Sequence, residues 1–188
     1  MYKKTQLDNI NYWSGVNFLK STGVTRKIDE LGRIVIPKEI RRNLGIRDGE
    51  SLEIYTDEDN IILKKHSQIK KYADLGTKIS ELVNNVFDIE IIITDREKVI
   101  ASSNNKNLLN KNIDNKLINM IDNRESLNNK ETTIEIDNTK INGYFSIKPI
   151  IAESDSLGLV IVKSNDNLNY DKIADLIVKI MSEKLNIY

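Results

Sequence analysis

The stretch from Thr22 to Lys65 constrains the fold of this chain most strongly, because an apolar run within it is followed at once by proline. Residues 34–36, Ile-Val-Ile, are typical of a buried strand. Pro37 ends that strand because proline has no N–H to donate, and its fixed φ suits the first turn of a helix. Gly45 suits the left-handed residue that closes a helix. We therefore predict a short helix between Pro37 and Gly45.

Polar turns flank this helix on both sides. Residues 29–32, Asp-Glu-Leu-Gly, predict a turn before the apolar run, and residues 57–60, Asp-Glu-Asp-Asn, predict a second turn. The β-rich runs at 52–56 and 61–64 on either side of that second turn indicate a hairpin. The predicted order is therefore strand, turn, strand, helix, strand, turn, strand.

This segment is too small to bury both faces of its apolar strand by itself. A unit of about 45 residues is near the lower limit for an independent core, and the chain has no cysteine that could form a disulfide. Successive residues of a strand point to opposite faces, so the run at 34–36 needs burial on both. We therefore expect two copies of the chain to interleave their hairpins and share one core.

Charge is separated along this stretch, although the whole chain of 188 residues is neutral with 28 basic and 28 acidic side chains. Residues 20–47 carry eight basic and three acidic side chains, a net charge of +5, and residues 48–59 carry six acidic side chains and no basic one. A basic cluster attracts polyanions whatever the total charge. Its members are Lys20, Arg26, Lys27, Arg33, Lys38, Arg41, Arg42 and Arg47.

The whole stretch closely resembles the AbrB family of swapped-hairpin transcription factors. The resemblance rests on STGVTRKIDELGRIVIPKEIRRNLGI followed by LEIY and IILKK. It implies an interleaved β-barrel dimer that inserts arginines into the grooves of double-stranded DNA. Carried over by position, the implied DNA-binding residues are Arg26, Lys27, Arg33, Arg41 and Arg42. Arg33 and Arg41 are the strongest candidates, because arginine contacts base edges and phosphates bidentately.

The rest of the chain divides around this unit. Residues 1–19 form a predicted N-terminal extension without the apolar run of a secretory signal. Residues 20–66 form the predicted DNA-binding domain, and residues 67–188 form a regulatory and oligomerisation domain that begins with a linker helix over 68–87. That helix either packs on its own domain or pairs with the same helix of a second chain. Its apolar stripe, at spacings of three and four residues, is Tyr72, Leu75, Ile79, Leu82 and Val86.

The second domain alternates strand and helix patterns in the order helix, strand, strand, helix, strand, strand, strand, helix. This order predicts an antiparallel sheet with helices on one face, and hence an α+β fold for the whole chain. Segments such as IIITDREKVIASS and SIKPIIAESDSLGLVIV resemble GAF domains. The GAF resemblance implies a sensor-like architecture and leaves a small-molecule effector open. The candidate binding wall comprises the loop 102–116 with Tyr144, Ser146 and Lys148.

Several chemical classes have no support in the sequence. With no cysteine and a single histidine, thiol catalysis, disulfides and cysteine-ligated metals are excluded. Metal motifs of the HExxH or EF-hand type are also missing. We therefore expect no enzymatic activity, no cofactor, no metal site and no membrane span.

These observations predict a DNA-binding transcriptional regulator. The resemblance to sporulation regulators that join an AbrB-type unit to a GAF-like domain implies a cytoplasmic, nucleoid-associated regulator of sporulation genes in the developing spore, acting as activator and repressor. It also implies a homodimer that assembles into a homotetramer. Two alternatives remain open, an antitoxin-like protein and a ligand-sensing dimer that does not bind DNA. The regular patterning after residue 66 disfavours the first, and the concentrated basic charge disfavours the second.

Overall fold

The structure is a computed structural model and describes residues 21–185. The predicted N-terminal extension and Lys20 therefore lie outside the described residues. The chain divides into two compact units between Glu50 and Ser51. This division precedes the predicted domain boundary between His66 and Ser67.

The elements follow the predicted order through most of the chain. The helices are α1 (Lys38–Asn43), α2 (Ala73–Phe87), α3 (Asn115–Asn123) and α4 (Asp171–Leu185). The strands are β1 (Leu52–Asp57), β2 (Asn60–Lys65), β3 (Glu90–Thr94), β4 (Val99–Ser102), β5 (Leu127–Ile136), β6 (Thr139–Ala152) and β7 (Asp155–Ser164). The region predicted as one linker helix is a 3-10 helix, Gln68–Tyr72, followed by α2. Antiparallel sheets combined with helices confirm the predicted α+β class.

The two strands predicted before α1 are not formed within residues 21–37. Ile28, Ile34 and Val35 are instead 63%, 54% and 71% exposed. A strand needs a neighbour to satisfy its N–H and C=O groups, and an isolated two-stranded ribbon is marginal in water. A single chain therefore forms the turn of this hairpin but not its paired arms.

The predicted second hairpin is present as β1 and β2. Leu52 pairs with Lys65 at the open end, and Asp57 pairs with Asn60 at the turn. Its outer apolar side chains are not covered, since Ile54 and Ile61 are 68% and 70% exposed.

The remaining strands form one antiparallel sheet in the order β4-β3-β7-β6-β5. The apolar strand β7 is central. Pro149 lies beyond the last paired residue of β5, which is Leu127 opposite Ile147. A register shift follows between Ile150 and Ile151. Proline is tolerated here because its missing N–H removes no bond to β5.

Helices cover both faces of this sheet, so the prediction of helices on one face was wrong. On one face α2 and α4 contribute to a core that includes Ile91 and Ile93. On the other face α3 and the preceding loop pack with Ile92 and Phe145. Alternate strand residues face opposite sides, so the uninterrupted apolar run of β3 serves both cores.

The helix α2 rests on the sheet through its smallest side chains. Gly76 and Ser80 are its buried residues. A Cβ on Gly76 would lie 3.2 Å from Ile93 Cδ1 and 3.3 Å from Ala101 Cβ. Close packing through these small residues brings the helix backbone near the sheet, and larger side chains of α2 such as Leu75 pack around this contact on the same core.

Candidate nucleic-acid interface

A tight turn joins the two arms that carry Arg26 and Arg33. The Asp29 N–H donates to the Arg33 carbonyl at 3.0 Å, and the Gly32 N–H donates to the Asp29 carbonyl at 2.9 Å. Gly32 has φ +75°, a left-handed conformation that glycine adopts at little cost. A three-residue hairpin loop with a left-handed last residue gives this geometry. The turn predicted from residues 29–32 is therefore confirmed.

The Asp29 carboxylate organises this turn. Its Oδ1 accepts hydrogen bonds from the Leu31 N–H at 3.0 Å and the Arg33 N–H at 2.8 Å. Its Oδ2 accepts from Arg33 Nε at 2.7 Å. These bonds lower the pKa of Asp29, the backbone hydrogen bond from Arg33 having the largest effect and its guanidinium the next. The Arg33 side chain is nonetheless 71% exposed, so the turn presents its guanidinium to solvent.

The helix α1 presents the next pair of arginines. It begins directly after Pro37, whose carbonyl accepts from the Arg41 N–H at 3.0 Å. At its end, the Gly45 N–H donates to the Arg42 carbonyl at 3.1 Å, and the Ile46 N–H donates to the Arg41 carbonyl at 2.8 Å. Gly45 has φ +62°. This pattern is a Schellman motif, and it confirms the predicted role of Gly45.

Adjacent positions on α1 give Arg41 and Arg42 different environments. Arg42 is exposed. Arg41 is 35% exposed and its Nη1 donates to the Asp48 carboxylate beyond the helix end. The Nε of Arg41 is buried and has no hydrogen-bond partner among the described residues. Arg41 could contact DNA in two ways. Its ion pair with Asp48 either breaks on DNA binding or persists in the complex.

Arg26 and Lys27 complete the predicted set, and both are exposed. Arg26 Nη1 donates to the carbonyl of the preceding Thr25 at 2.9 Å, a contact that keeps the side chain at the surface. Four of the five predicted residues are thus exposed, and Arg41 is partly exposed. The sequence analysis missed the carboxylates of Asp29 and Asp48, although an aspartate four residues before an arginine was a visible signal for the first.

The predicted effector wall does not form, because its parts lie on opposite faces of the sheet. Phe145 packs in the same core as Leu108 of the loop 102–116. Ser146 and Lys148 have the opposite strand parity from Phe145, and Lys148 Nζ lies 3.6 Å from Asp175 of α4. Neighbouring residues of a strand point to opposite faces of the sheet, so residues 144, 146 and 148 cannot line a pocket on the face where Phe145 lies.

The three residues predicted for that wall instead make local polar contacts. The Tyr144 hydroxyl donates to Glu131 at 3.2 Å, and this hydrogen bond raises the pKa of Tyr144. Ser146 Oγ accepts from the Asn129 N–H at 3.3 Å, and Lys148 Nζ donates to Asn128 at 2.7 Å. These contacts join β6 to the start of β5.

Within residues 21–185, acidic and histidine side chains do not gather in a group of three able to hold a metal ion. No helix in that range is long and apolar enough to cross a membrane.

Comparisons with known families place both parts of the chain. Residues 71–185 match the family described as stage V sporulation protein T C-terminal, transcription factor. Residues 25–71 match the family described as antidote-toxin recognition MazE, bacterial antitoxin. These two matches meet at residue 71, within the 3-10 helix.

Individual proteins show the same division. Stage V sporulation protein T of Bacillus subtilis (strain 168) is 39% identical over 155 residues, which cover 79% of this chain and 86% of that protein. The solution structure of the N-terminal DNA recognition domain of the Bacillus subtilis transition-state regulator AbrB is 62% identical, covers 26% of this chain and 91% of that chain, and has a TM-score of 0.23. A GAF domain from Acinetobacter phosphoenolpyruvate-protein phosphotransferase is 11% identical over 63% of this chain and 86% of that chain, with a TM-score of 0.43.

The family match at 71–185 covers more than half of the chain, and the full-length relative spans both units. The chain therefore belongs to the stage V sporulation protein T family of transcription factors, and it is a transcriptional regulator.

Proposed function

We propose that this regulator binds double-stranded DNA through the arginines of a domain spanning residues 20–66. The observation that carries the proposal is the exposure of Arg26, Arg33 and Arg42 in a segment 62% identical to a solved DNA recognition domain. Guanidinium groups bind phosphates and guanine edges bidentately, so an exposed set of them suits a DNA duplex.

Replacing Arg33 tests this surface directly. Arg33→Ala is expected to weaken DNA binding by ~1–3 kcal/mol, because it removes a bidentate donor without touching the core. Fluorescence anisotropy with a labelled duplex measures the change, and circular dichroism verifies that the fold is retained. Lys106→Ala, an exposed cation in the second unit, is the matched control and should bind as the unsubstituted protein does. Full DNA affinity in both Arg33→Ala and Arg42→Ala would place the interface elsewhere.

The proposal includes a homodimer formed by the first hairpin and the β1–β2 hairpin of two chains. Large apolar side chains at 28, 34, 35, 54 and 61 are all more than half exposed in the single chain. Exposed large apolar side chains on both hairpins indicate an interaction site. The partner is a second copy, because the arms around the 29–33 turn lack the neighbouring strands that an interleaved copy supplies.

We further propose that two such dimers join through α2. Leu82 and Val86 lie one turn apart on this helix and are 64% and 73% exposed. Gly76, Ser80 and Ile79 pack towards the core of their own sheet. The exposed Leu82 and Val86 therefore form a separate stripe that a second α2 would cover. Pairing of apolar residues spaced by three and four is the usual geometry of helix association.

A charge placed on this stripe tests the assembly. Leu82→Glu combined with Val86→Glu is expected to halve the mass measured by light scattering, from tetramer to dimer, because paired helices would bury four like charges. Asn85→Glu adds one negative charge to an exposed polar position of α2 and should leave the mass unchanged. An unchanged mass in the double variant would remove α2 from the interface.

The biological setting follows from the relatives. We propose that the targets are sporulation genes, with activation at some promoters and repression at others, and that the protein acts on the nucleoid in the cytoplasm of the developing spore. Support comes from a full-length relative named as a sporulation protein and from a family described as transcription factors. The second unit then acts as a regulatory and oligomerisation module, without enzymatic activity.

An antitoxin is the second candidate function, because residues 25–71 match an antitoxin family. The same residues hold the exposed arginines, so this match supports a DNA-binding unit in either case. After residue 71 the chain folds into a five-stranded sheet and matches a transcription factor family. Rescue of cells from a toxin encoded beside this gene would favour the antitoxin, and the lack of such rescue would favour the regulator.

A further inference from the structure

We propose that Asp29 is a positioning residue for Arg33, and that the pair determines preference among DNA sequences more than overall affinity. This inference rests on the proposed function, since it requires that Arg33 contacts DNA. In the net charge of residues 20–47, the Asp29 carboxylate only reduces the attraction for DNA. The proposal gives this carboxylate a second role.

The geometry supports a positioning role because one carboxylate holds both the backbone and the side chain of the same residue. Oδ1 accepts from the Arg33 N–H at 2.8 Å, and Oδ2 accepts from Arg33 Nε at 2.7 Å. Oδ1 also accepts from the Leu31 N–H at 3.0 Å, which fixes the loop that carries the pair. The guanidinium plane is therefore oriented by the turn and does not sample its rotamers freely.

The hydrogen bond to Asp29 uses Nε of Arg33, so the Nη end of the guanidinium can contact DNA. A guanidinium held through Nε still has both Nη groups for a bidentate contact to guanine O6 and N7 or to a phosphate. The side chain is 71% exposed, so this end is accessible. Because Asp29 already orients the guanidinium, less side-chain entropy is lost when Arg33 binds DNA. The gain in affinity is largest at a DNA site whose acceptor atoms fit that orientation.

Asp29 also places a negative charge on a surface that faces a polyanion. That charge repels phosphates of every sequence alike. Asp29 should therefore weaken binding to arbitrary DNA while strengthening binding to a preferred site. Opposite changes at the two kinds of DNA distinguish a positioning residue from one that only maintains the fold.

The neighbouring carboxylate provides a matched control. Asp29→Asn and Glu30→Gln each remove one negative charge from the same turn, and Glu30 is exposed. Asparagine keeps an oxygen acceptor for the backbone N–H groups, so the turn persists, but it loses the charged bond to Nε. Two probes are used, a duplex enriched from a random pool by the unsubstituted full-length protein, and the unselected pool.

Glu30→Gln is expected to tighten binding to both probes by the same factor. Asp29→Asn should tighten binding to the unselected pool by that factor but weaken binding to the enriched duplex, so that the affinity ratio falls about tenfold. Equal ratios in Asp29→Asn and Glu30→Gln would overturn the proposal. A melting temperature measured for each variant shows that the ratio changes without loss of the fold.

Arg33→Lys supplies a second route that does not alter the turn backbone. Lysine keeps the charge but lacks Nε and the planar fork, so it should lower the affinity ratio as Asp29→Asn does. The double variant should lose no more than Arg33→Lys alone, because Asp29 acts only through the guanidinium that this variant already removes. Additive losses would overturn the proposal. If Arg33→Ala leaves both affinities unchanged, the proposed DNA contact itself fails, whereas a lower ratio in Arg33→Ala but not in Asp29→Asn refutes only the positioning role.

Discussion

The affinity of the full-length protein for duplex DNA is expected to fall about ten-thousand-fold when the salt concentration rises from about 50 to about 200 mM. Each phosphate neutralised by a basic side chain releases condensed counterions, so the logarithm of the binding constant falls linearly with the logarithm of salt concentration. Four predicted arginines per chain give about eight in the proposed dimer, and hence a slope of roughly −7. Titrations at several salt concentrations measure this slope.

The same slope reports the state of Arg41. In the structure Arg41 is paired with Asp48, so it neutralises a phosphate fully only if that carboxylate releases it. If the pair stays intact on DNA, about six arginines remain per dimer and the slope becomes roughly −5. Asp48→Asn should then restore the steeper slope, because it frees Arg41 before binding.

Two variants complete the test of the charge count. Arg42→Gln removes an exposed guanidinium and should reduce the slope by about 2 for a dimer. Lys106→Gln removes a cation from the second unit and should not change it. A slope near zero in the unsubstituted protein would mean that the basic cluster does not meet phosphates.

Local sequence signals predicted most of the elements because their causes are local. The short helix α1 follows from Pro37 and Gly45, whose backbone preferences hold regardless of the rest of the chain. The β1–β2 hairpin follows from a polar turn between two β-rich runs. The antiparallel sheet of the second unit follows from strands that are separated by short polar turns and closed by amphipathic helices.

The two strands predicted around residues 28 and 34–36 are absent from the described part of the chain because their formation does not depend on local sequence alone. Their apolar pattern is real, but strand formation depends on a pairing partner that a single chain does not contain. The apolar pattern therefore predicts a need for burial that these residues do not meet within one copy. Val35, for example, is an apolar strand-forming residue that is 71% exposed in the single chain.

The other errors have different causes. The predicted effector wall joined residues of one strand parity to the loop 102–116, but that loop packs with Phe145 on the opposite face of the sheet, a placement that strand parity alone does not give. The four consecutive residues Ile91 to Thr94 are all buried, and an uninterrupted apolar run indicates a sheet covered on both faces. The Arg41–Asp48 pair was not predictable, because it depends on the chain reversal at Gly45 that brings the two residues together.

Gly158→Ala is expected to lower the free energy of unfolding of the second unit by about 3 kcal/mol, the upper end of the usual cost of overpacking. A Cβ at this position would lie 1.9 Å from the Thr94 carbonyl oxygen and 2.8 Å from its carbon. These are backbone atoms, so they cannot move as a flexible side chain can. Thr94 is also buried and its Oγ1 accepts from the Leu159 N–H at 3.1 Å, which fixes the contact.

Urea unfolding followed by circular dichroism measures this loss as a lower midpoint. Gly49→Ala, in the first compact unit, is the control for the loss of a glycine as such, since Gly49 has φ +80° and open space around its Cβ position. Its cost comes only from the left-handed backbone, about 1–2 kcal/mol. Equal midpoints for the two variants would contradict the close approach of β3 to Gly158.

The loss should also affect assembly before it affects DNA contact. Gly158 packs against Thr94 at the end of β3. The same strand carries Ile93, which contacts α2 at Gly76. Loosening β3 should therefore disturb α2 and the proposed tetramer, whereas the arginines of residues 26–42 belong to the other compact unit. Below its unfolding midpoint, Gly158→Ala is expected to bind DNA with little loss while its mass in light scattering falls toward that of a dimer. Loss of DNA affinity in parallel with the mass would show that DNA binding depends on the second unit.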